Sequence, residues 1–376
     1  MTTVQGLNSL ELGNGPPKPL VAISILNWNG WRDTIECLES VRQLDYPDYL
    51  TVVVDNGSAN DSLPKLRDWA TQNLPDQRGF VEYPMEVACQ GGAQAQEAAL
   101  DTLAPRDRLV LVRNRENLGF AGGNNVTVQY VLRRSPAADY VFLLNNDATA
   151  DEACLTRLVE AAQSSEAGIV GAVVKQRGSS DIAFAGLDGS FPLLRQFFPP
   201  FLNFRTAPPN PEAEFCVSFW VSGGAMFLRK DVLENMYKAT GCYLDDALFL
   251  YGEDVDFCGR ARKLGYRSVV ASRAVVYHGE ASSSGGRFNP IAYYYSNRNR
   301  VRVARHLLPW PLRPLFHGLN VSLCLGRAGK NFWRGQKKAA LAILRGTLDG
   351  YCGRFGKWKE HDALAMTKPR AEAGPP

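Results

Sequence analysis

Four apolar, largely β-branched runs in the first half of the chain each lead into asparagine or aspartate: "LVAISILN", "LTVVVD", "RLVLVRN" and "YVFLLNND". Such runs show no in-out alternation, so they suit strands of a parallel sheet that is covered on both faces. Between the first two, Trp31 to Leu44 places Ile35, Leu38, Val41 and Leu44 three residues apart on one helical face, with Asn29 placed to cap its start. Strand, helix and strand within about forty residues make a βαβ unit with a right-handed crossover.

The pattern continues. A less regular stretch from Gln77 to Pro105 contains "QGGAQAQEAAL", which suits a short helix. Then come the strand "RLVLVRN", the turn "ENLGFAGGNN", a helix through Leu132 and the strand "DYVFLLNND". This alternation predicts an α/β fold, a doubly wound and mostly parallel sheet flanked by helices, whose ligands lie outside the carboxyl ends of the strands. Asn27, Asn29, Asp55, Asn117 and Asp147 all fall there.

From "AGIVGAVV" onward the pattern is mixed, and "FPLLRQFFPPFLNFRTAPPNP" reads as a loop or lid. A helix follows in "EDVDFCGRARKLG", with Phe257, Ala261 and Leu264 on one face and Gly265 at its end. Residues 1–18, rich in Gly and Pro toward their end, read as a disordered leader.

Charge divides the chain in two. Residues 1–300 carry 28 Lys and Arg against 34 Asp and Glu, whereas residues 301–376 carry 14 against 4. The latter interleave their charges with Leu307, Trp310, Leu312, Leu315, Phe316, Phe332, Trp333, Leu341, Leu344 and Trp358, which predicts a basic, amphipathic helical extension suited to an anionic membrane surface. The nearest approach to a membrane span, Leu315 to Leu325, is short and contains His317, Asn320 and Ser322, so no transmembrane helix is expected. Eight cysteines without a CxxC pair suggest reduced thiols and a cytoplasmic chain held peripherally at the inner face of the membrane.

Three groups of residues carry possible chemistry. Asp147, in "LLNNDATAD", can hold a hard cation, or it or Asp151 can cap the following helix. Glu253, Asp254 and Asp256 open a helix, where acids complement the dipole and where one of them can take a proton from an attacking hydroxyl. His278 ends a β-branched run, a position from which a neutral imidazole can bind metal. In "YYYSNRNRVRVARH", Arg298 is the first choice for a bidentate clamp on a diphosphate.

The order Asp55, Asp147, Glu253-Asp254, His278 resembles that of the family 2 glycosyltransferases of the GT-A fold, most closely their rhamnosyltransferase-like branch. The stretches that carry the resemblance are "VAISILNWNG", "VVVDNGSANDS", "NLGFAGGNN", "LLNNDA", "VSGGAMFLRKDVL", "LFLYGEDVDFCGRARKLGY", "VVYHGEASSS" and "YYYSNRNRV", from about residue 20 to 303. It implies a GT-A catalytic domain over residues 19–300 followed by the helical extension. It also implies that Asp55 accepts a hydrogen bond from a pyrimidine imide, that Asn145, Asn146 and Asp147 stand where the family has its Asp-any-Asp metal motif, that Asp254, beside Glu253, is the catalytic base, and that His278 is a second metal ligand. Asn27, Asn29, Asn117, Gly119, Gly123 and Asn124 join the expected donor site. Asn145 departs from the acidic residue usual in the motif, which leaves Asp147 as its principal carboxylate.

The function so implied is inverting transfer of a sugar, a deoxysugar such as rhamnose among them, from a dTDP- or UDP-sugar to a glycan or lipid-linked acceptor, with Mg2+ or Mn2+ as cofactor. Two other classes fit an α/β sheet: a nucleotidyltransferase, although "LNWNGWRD" lacks the usual Gly- and Lys-rich phosphate loop, and a nucleotide-sugar-binding protein without turnover. No nucleic-acid-binding module is recognisable, and no nucleic-acid partner is expected.

Overall fold

A computed structural model describes residues 18–179, 181–186, 210, 212–279, 289–359 and 361. Most of the leader (1–17), most of the Pro- and Phe-rich insert and most of the hydroxyl-rich loop after His278 lie outside the described residues.

The expected alternation is present. β1 (Val21–Asn27), α1 (Trp31–Val41), β2 (Tyr49–Asp55), α2 (Ser62–Asn73), β3 (Phe80–Pro84), α3 (Met85–Ala88), α4 (Gln94–Asp101), β4 (Leu109–Arg113), α5 (Gly119–Arg133) and β5 (Tyr140–Asn145) follow in order. Next come β6 (Ala148–Ala150), α6 (Cys154–Ser165), β7 (Ile169–Gln176), β8 (Ile182–Phe184), β9 (Phe215–Ser218), β10 (Ala225–Arg229), α7 (Lys230–Thr240), α8 (Glu253–Lys263) and β11 (Ser268–His278). Three long helices close the described chain: α9 (Pro290–Leu307), α10 (Arg313–Trp333) and α11 (Lys337–Tyr351).

The main path through the sheet runs β3-β4-β2-β1-β5-β10-β7-β11-β6. Its first half, through β5, is parallel throughout, as the continuous apolar runs imply. Its second half is mixed, because β10 runs antiparallel to both β5 and β7 and β6 runs antiparallel to β11. Sequence order reverses between β1 and β5, the switch point at which α/β sheets present their ligand crevice. Val52, Val53 and Val54 on β2 and Phe142 and Leu143 on β5 are buried in the core that supports this edge.

Two local expectations change. Asn29 does not cap α1: its backbone is left-handed (φ 56°) and its side chain accepts from the Ala59 N–H, while Gly30 occupies the cap position. Leu264 is exposed rather than on the buried face of α8, because it lies past the helix's last residue. Residue 300 lies within α9, which packs on α8 and α11.

All eight cysteines are free. Among the described residues no helix is long and apolar enough to cross a membrane.

Candidate active site

Register brings the polar strand ends together. Asn27 pairs with Asp55 across β1 and β2, and Leu26 pairs with Asn145 across β1 and β5. Both Asn27 and Asp55 are fully buried, and Asp55 accepts from Asn27 Nδ2 (2.6 Å), Ser58 Oγ (2.6 Å) and the Ser58 N–H (3.1 Å). Asn27 Oδ1 in turn accepts from Gly30 N–H and Thr34 Oγ1 at the start of α1. Asn146 donates to the same Thr34 hydroxyl (3.1 Å), and a Cβ at Gly30 would stand 2.6 Å from its amide nitrogen.

Asp147 and His278 meet because the chain leaving β5 turns at once into β6, whose Ala148 pairs with His278 on β11. The Gly279 N–H closes the turn on the Asp147 carbonyl (3.0 Å). His278 Nε2 then lies 3.0 Å from Asp147 Oδ1 and 3.1 Å from Asn145 Nδ2. One nitrogen cannot serve both neighbours at once: protonated it donates to the carboxylate, unprotonated it accepts from the amide. The hydrogen bond to Asp147 outweighs burial and raises the imidazole above its usual range. Asp147 is buried, and the helix-cap alternative does not apply to it: Ala153 occupies the cap of α6, where Asp151 Oδ1 accepts from the Ala153 N–H.

The second group of carboxyls is built on α8. Asp254 Oδ2 accepts from the Gly223 N–H (3.1 Å) and Oδ1 from the Val255 N–H (2.7 Å). Burial raises this carboxyl above its ordinary range, and those donors offset only part of the rise. Glu253 is buried, its Oε2 makes no hydrogen bond among the described residues, and burial followed by the neighbouring Asp254 charge raises it well above the usual carboxylate range. Two adjacent carboxyls in one buried place resist ionising together. The one with more fixed N–H donors is the easier to ionise, and that is Asp254.

The two sides are joined by residues that sequence reasoning passed over. Gly223 bonds Asp254, while Gly224 accepts from the Asn145 N–H (3.0 Å) and leaves no room for a side chain, since a Cβ there would lie 2.8 Å from Asn145 Nδ2. "VSGGA" was visible as a stretch, but nothing local assigns its glycines to both acid clusters. Tyr251 feels both as well: burial, then the charges of Glu253 and Asp147, push its phenol to about 12.

Other expected donor residues serve the fold. Asn117 Oδ1 accepts from Asn56 Nδ2 and from the Gly119 N–H, Asn124 binds Ser24 and the Phe120 carbonyl, and a Cβ at Gly123 would reach within 2.4 Å of Leu26. They hold α5 against β1. Arg298 is 1% exposed and donates to Asn299 Oδ1 and to the carbonyls of Gly356, Ala247 and Leu248. Its guanidinium therefore faces the protein interior instead of standing open to a diphosphate.

A second acid and histidine group, Asp245, Asp256 and His306, has ligand atoms within 4.8 Å of one another. Arg260 binds Asp256 (2.6 Å) and Arg302 binds Asp245 (2.5 Å), so two guanidinium charges already balance the two carboxylates. A cation there would have to displace both.

A family model described as "Glycosyltransferase like family 2" matches residues 87–300, more than half of the chain. The chain belongs to this family. Among solved structures, a mannosyltransferase from Pyrobaculum calidifontis in complex with GDP-Man and Mn2+ is similar at 17% identity and a TM-score of 0.51, covering 93% of this chain and 79% of that one. GalNAc-T7 with UDP, GalNAc and Mn2+ is similar at 13% identity and a TM-score of 0.51, covering 76% of this chain and 48% of that one. At these identities the likeness shows the shared fold. A comparison with curated protein sequences gives no match. This family 2 glycosyltransferase is thus a glycosyl-transfer enzyme of mixed α/β fold with a C-terminal helical layer.

Proposed function

We propose that the enzyme transfers a sugar, with inversion, from a nucleotide diphosphate donor to an acceptor hydroxyl in one displacement. The observation that carries this is the pairing of a carboxylate and imidazole at the switch point, Asp147 with His278, with a separately held carboxylate, Asp254, joined to it through Gly223 and Gly224. Asp254 takes the acceptor's proton. Its raised carboxyl makes it a stronger base than an exposed aspartate while its N–H donors keep it charged. Glu253, raised by burial and by the neighbouring Asp254 charge, is the harder of the pair to ionise.

A divalent metal fits the Asp147 side. Carboxylate oxygen and imidazole nitrogen converge there with the Asn145 amide at hand. Asp147 and His278 would hold Mg2+ or Mn2+, which when bound neutralises the leaving diphosphate. Asn27, Asn29, Asn145 and Asn146 line the strand ends proposed for the donor. Asp55 remains the proposed acceptor for the imide of a dTDP- or UDP-linked sugar, a contact that requires Asn27 or Ser58 to yield, since both now cover it. The resemblance favours a deoxysugar such as rhamnose.

The acceptor is proposed to be a glycan or lipid-linked. The described surface of α10, α11 and the turn that precedes them supports a membrane location: Trp310, Leu315, Leu325, Trp333, Leu341 and Leu348 are exposed, and Lys330, Arg334, Lys337 and Lys338 surround the turn between the helices. No acid occurs between Glu280 and Asp349. Leu307 and Phe316, by contrast, are buried and leave the amphipathic surface.

Purified enzyme incubated with a panel of sugar nucleotides, with and without Mn2+ or Mg2+, tests the reaction. One donor should be consumed, only with metal and acceptor present; nucleotide transfer without sugar transfer would favour a nucleotidyltransferase. Co-sedimentation with anionic and neutral liposomes tests the membrane face, and binding should need anionic lipid and fade as salt rises.

A further inference from the structure

The turn before α8 is strained. Phe249 has φ 61° and ψ −59°, and the Leu250 N–H bonds the Leu248 carbonyl (2.7 Å), a γ-turn of the rare left-handed form. Tyr251 (φ 67°) and Gly252 (φ 93°) follow, also left-handed, and α8 begins at the next residue, Glu253. Bulky residues stay in this region only where their surroundings over-determine it.

Those surroundings are specific. Asn299 on α9 is 1% exposed, and its Nδ2 lies 2.8 Å from the Leu248 carbonyl, 2.8 Å from that of Leu250 and 2.6 Å from that of Tyr251. Its Oδ1 accepts from Arg298 Nε (2.8 Å), which fixes the amide with its nitrogen toward the turn. Arg298 adds bonds to the Ala247 and Leu248 carbonyls. From the other side the Phe120 N–H binds the Phe249 carbonyl (2.6 Å), at a spot where a Cβ on Gly119 would lie 2.3 Å from that oxygen. The turn is gripped between α9 and the start of α5.

We propose that Asn299, oriented by Arg298, is a positioning residue that holds residues 248–252 in the strained shape that aims Asp254 at the acceptor. The proposal rests on the reading of Asp254 as the base. Three carbonyls converge on one side-chain amide and share its two N–H bonds. Without it the turn relaxes toward ordinary backbone, and the first residues of α8 move with it. This accounts for "SNRN" as a support of the catalytic helix.

The test is steady-state kinetics of Asn299→Ala across pH, beside Asp254→Asn and the wild type. Asn299→Ala should lower kcat by about 10- to 10²-fold, the cost of a small misplacement, with the donor KM within about three-fold. The acid limb of its kcat profile should shift to lower pH, because a displaced Asp254 is better solvated. Adding Tyr251→Gly, which removes the penalty of a left-handed side chain, should restore several-fold of the lost kcat. A kcat within about two-fold of wild type, or a loss with an unmoved acid limb, overturns the proposal. Should Asn299→Ala not fold, Asn299→Ser, which keeps one donor, is judged by the same two readouts. Full activity in Asp254→Asn would instead overturn the base assignment itself.

Discussion

Among the described residues, two carboxylate–histidine pairs of similar length stand in different surroundings. Asp147 and His278 stand 3.0 Å apart and Asp256 and His306 2.7 Å apart. Around the second, Arg260 and Arg302 supply the charge that Asp245 and Asp256 need, and the group ties α8 to α9. Beside the first stands the Asn145 amide, while Arg177 donates to the Asp147 backbone carbonyl. Proximity of acids and histidine therefore does not by itself mark a metal site.

The most forceful way to break the comparison is to remove each carboxylate at the first pair's level of importance. Asp147→Ala should lower metal-dependent transfer by about 10³-fold, the several kcal/mol that a cation supplies, and leave the melting temperature within a few degrees. His278→Ala should weaken donor binding by less, because it removes no negative charge. Calorimetric titration of donor with and without Mn2+ reads both, and metal-independent binding in the wild type would make the two pairs equivalent.

Asp254 and Asp256 sharpen the contrast on a single helix, two residues apart. Asp254→Asn should cost about 10²-fold or more in transfer with donor affinity and stability retained. Asp256→Asn should do the reverse: activity per folded molecule stays within a few-fold, while urea unfolding shows a loss of about 3–5 kcal/mol, since Arg260 is left buried without its partner.

Adding charge is a gentler probe. Asn145→Asp should tighten Mn2+ by about ten-fold, because hard cations gain with each carboxylate oxygen, and direct metal titration measures it. A matching change near Asp256, such as Arg302→Met, should create no tight metal binding while Arg260 remains.

The smallest effect expected is in acid. Burial alone would raise the Asp256 carboxyl, but the His306 hydrogen bond and the Arg260 charge outweigh it and hold it below the usual range. Its contribution to stability is present above the unfolded value, about 3.9, and is lost as pH falls through the lower folded one. The stability gap between wild type and Asp256→Asn should thus narrow below about pH 4, as denaturant unfolding at successive pH values would reveal.

What the sequence determined by itself is the parallel half of the sheet and the polar residues at its edge. An unbroken apolar run or a three-residue apolar period is a local property, and β1, α1, β2, α5 and β5 follow from it within a few residues. Residue type likewise marked Asp147, Asp254 and His278 as able to do chemistry. Tertiary structure decided their company. Asn145 and His278 are 133 positions apart and meet only because β6 doubles back onto β11. The mixed half of the sheet, the use of Gly223 and Gly224 as a bridge, the burial of Arg298 and the amide of Asn299 under a strained turn all depend on sheet order and register. Those arise from the sum of many contacts distant in sequence, and no single stretch of residues encodes them.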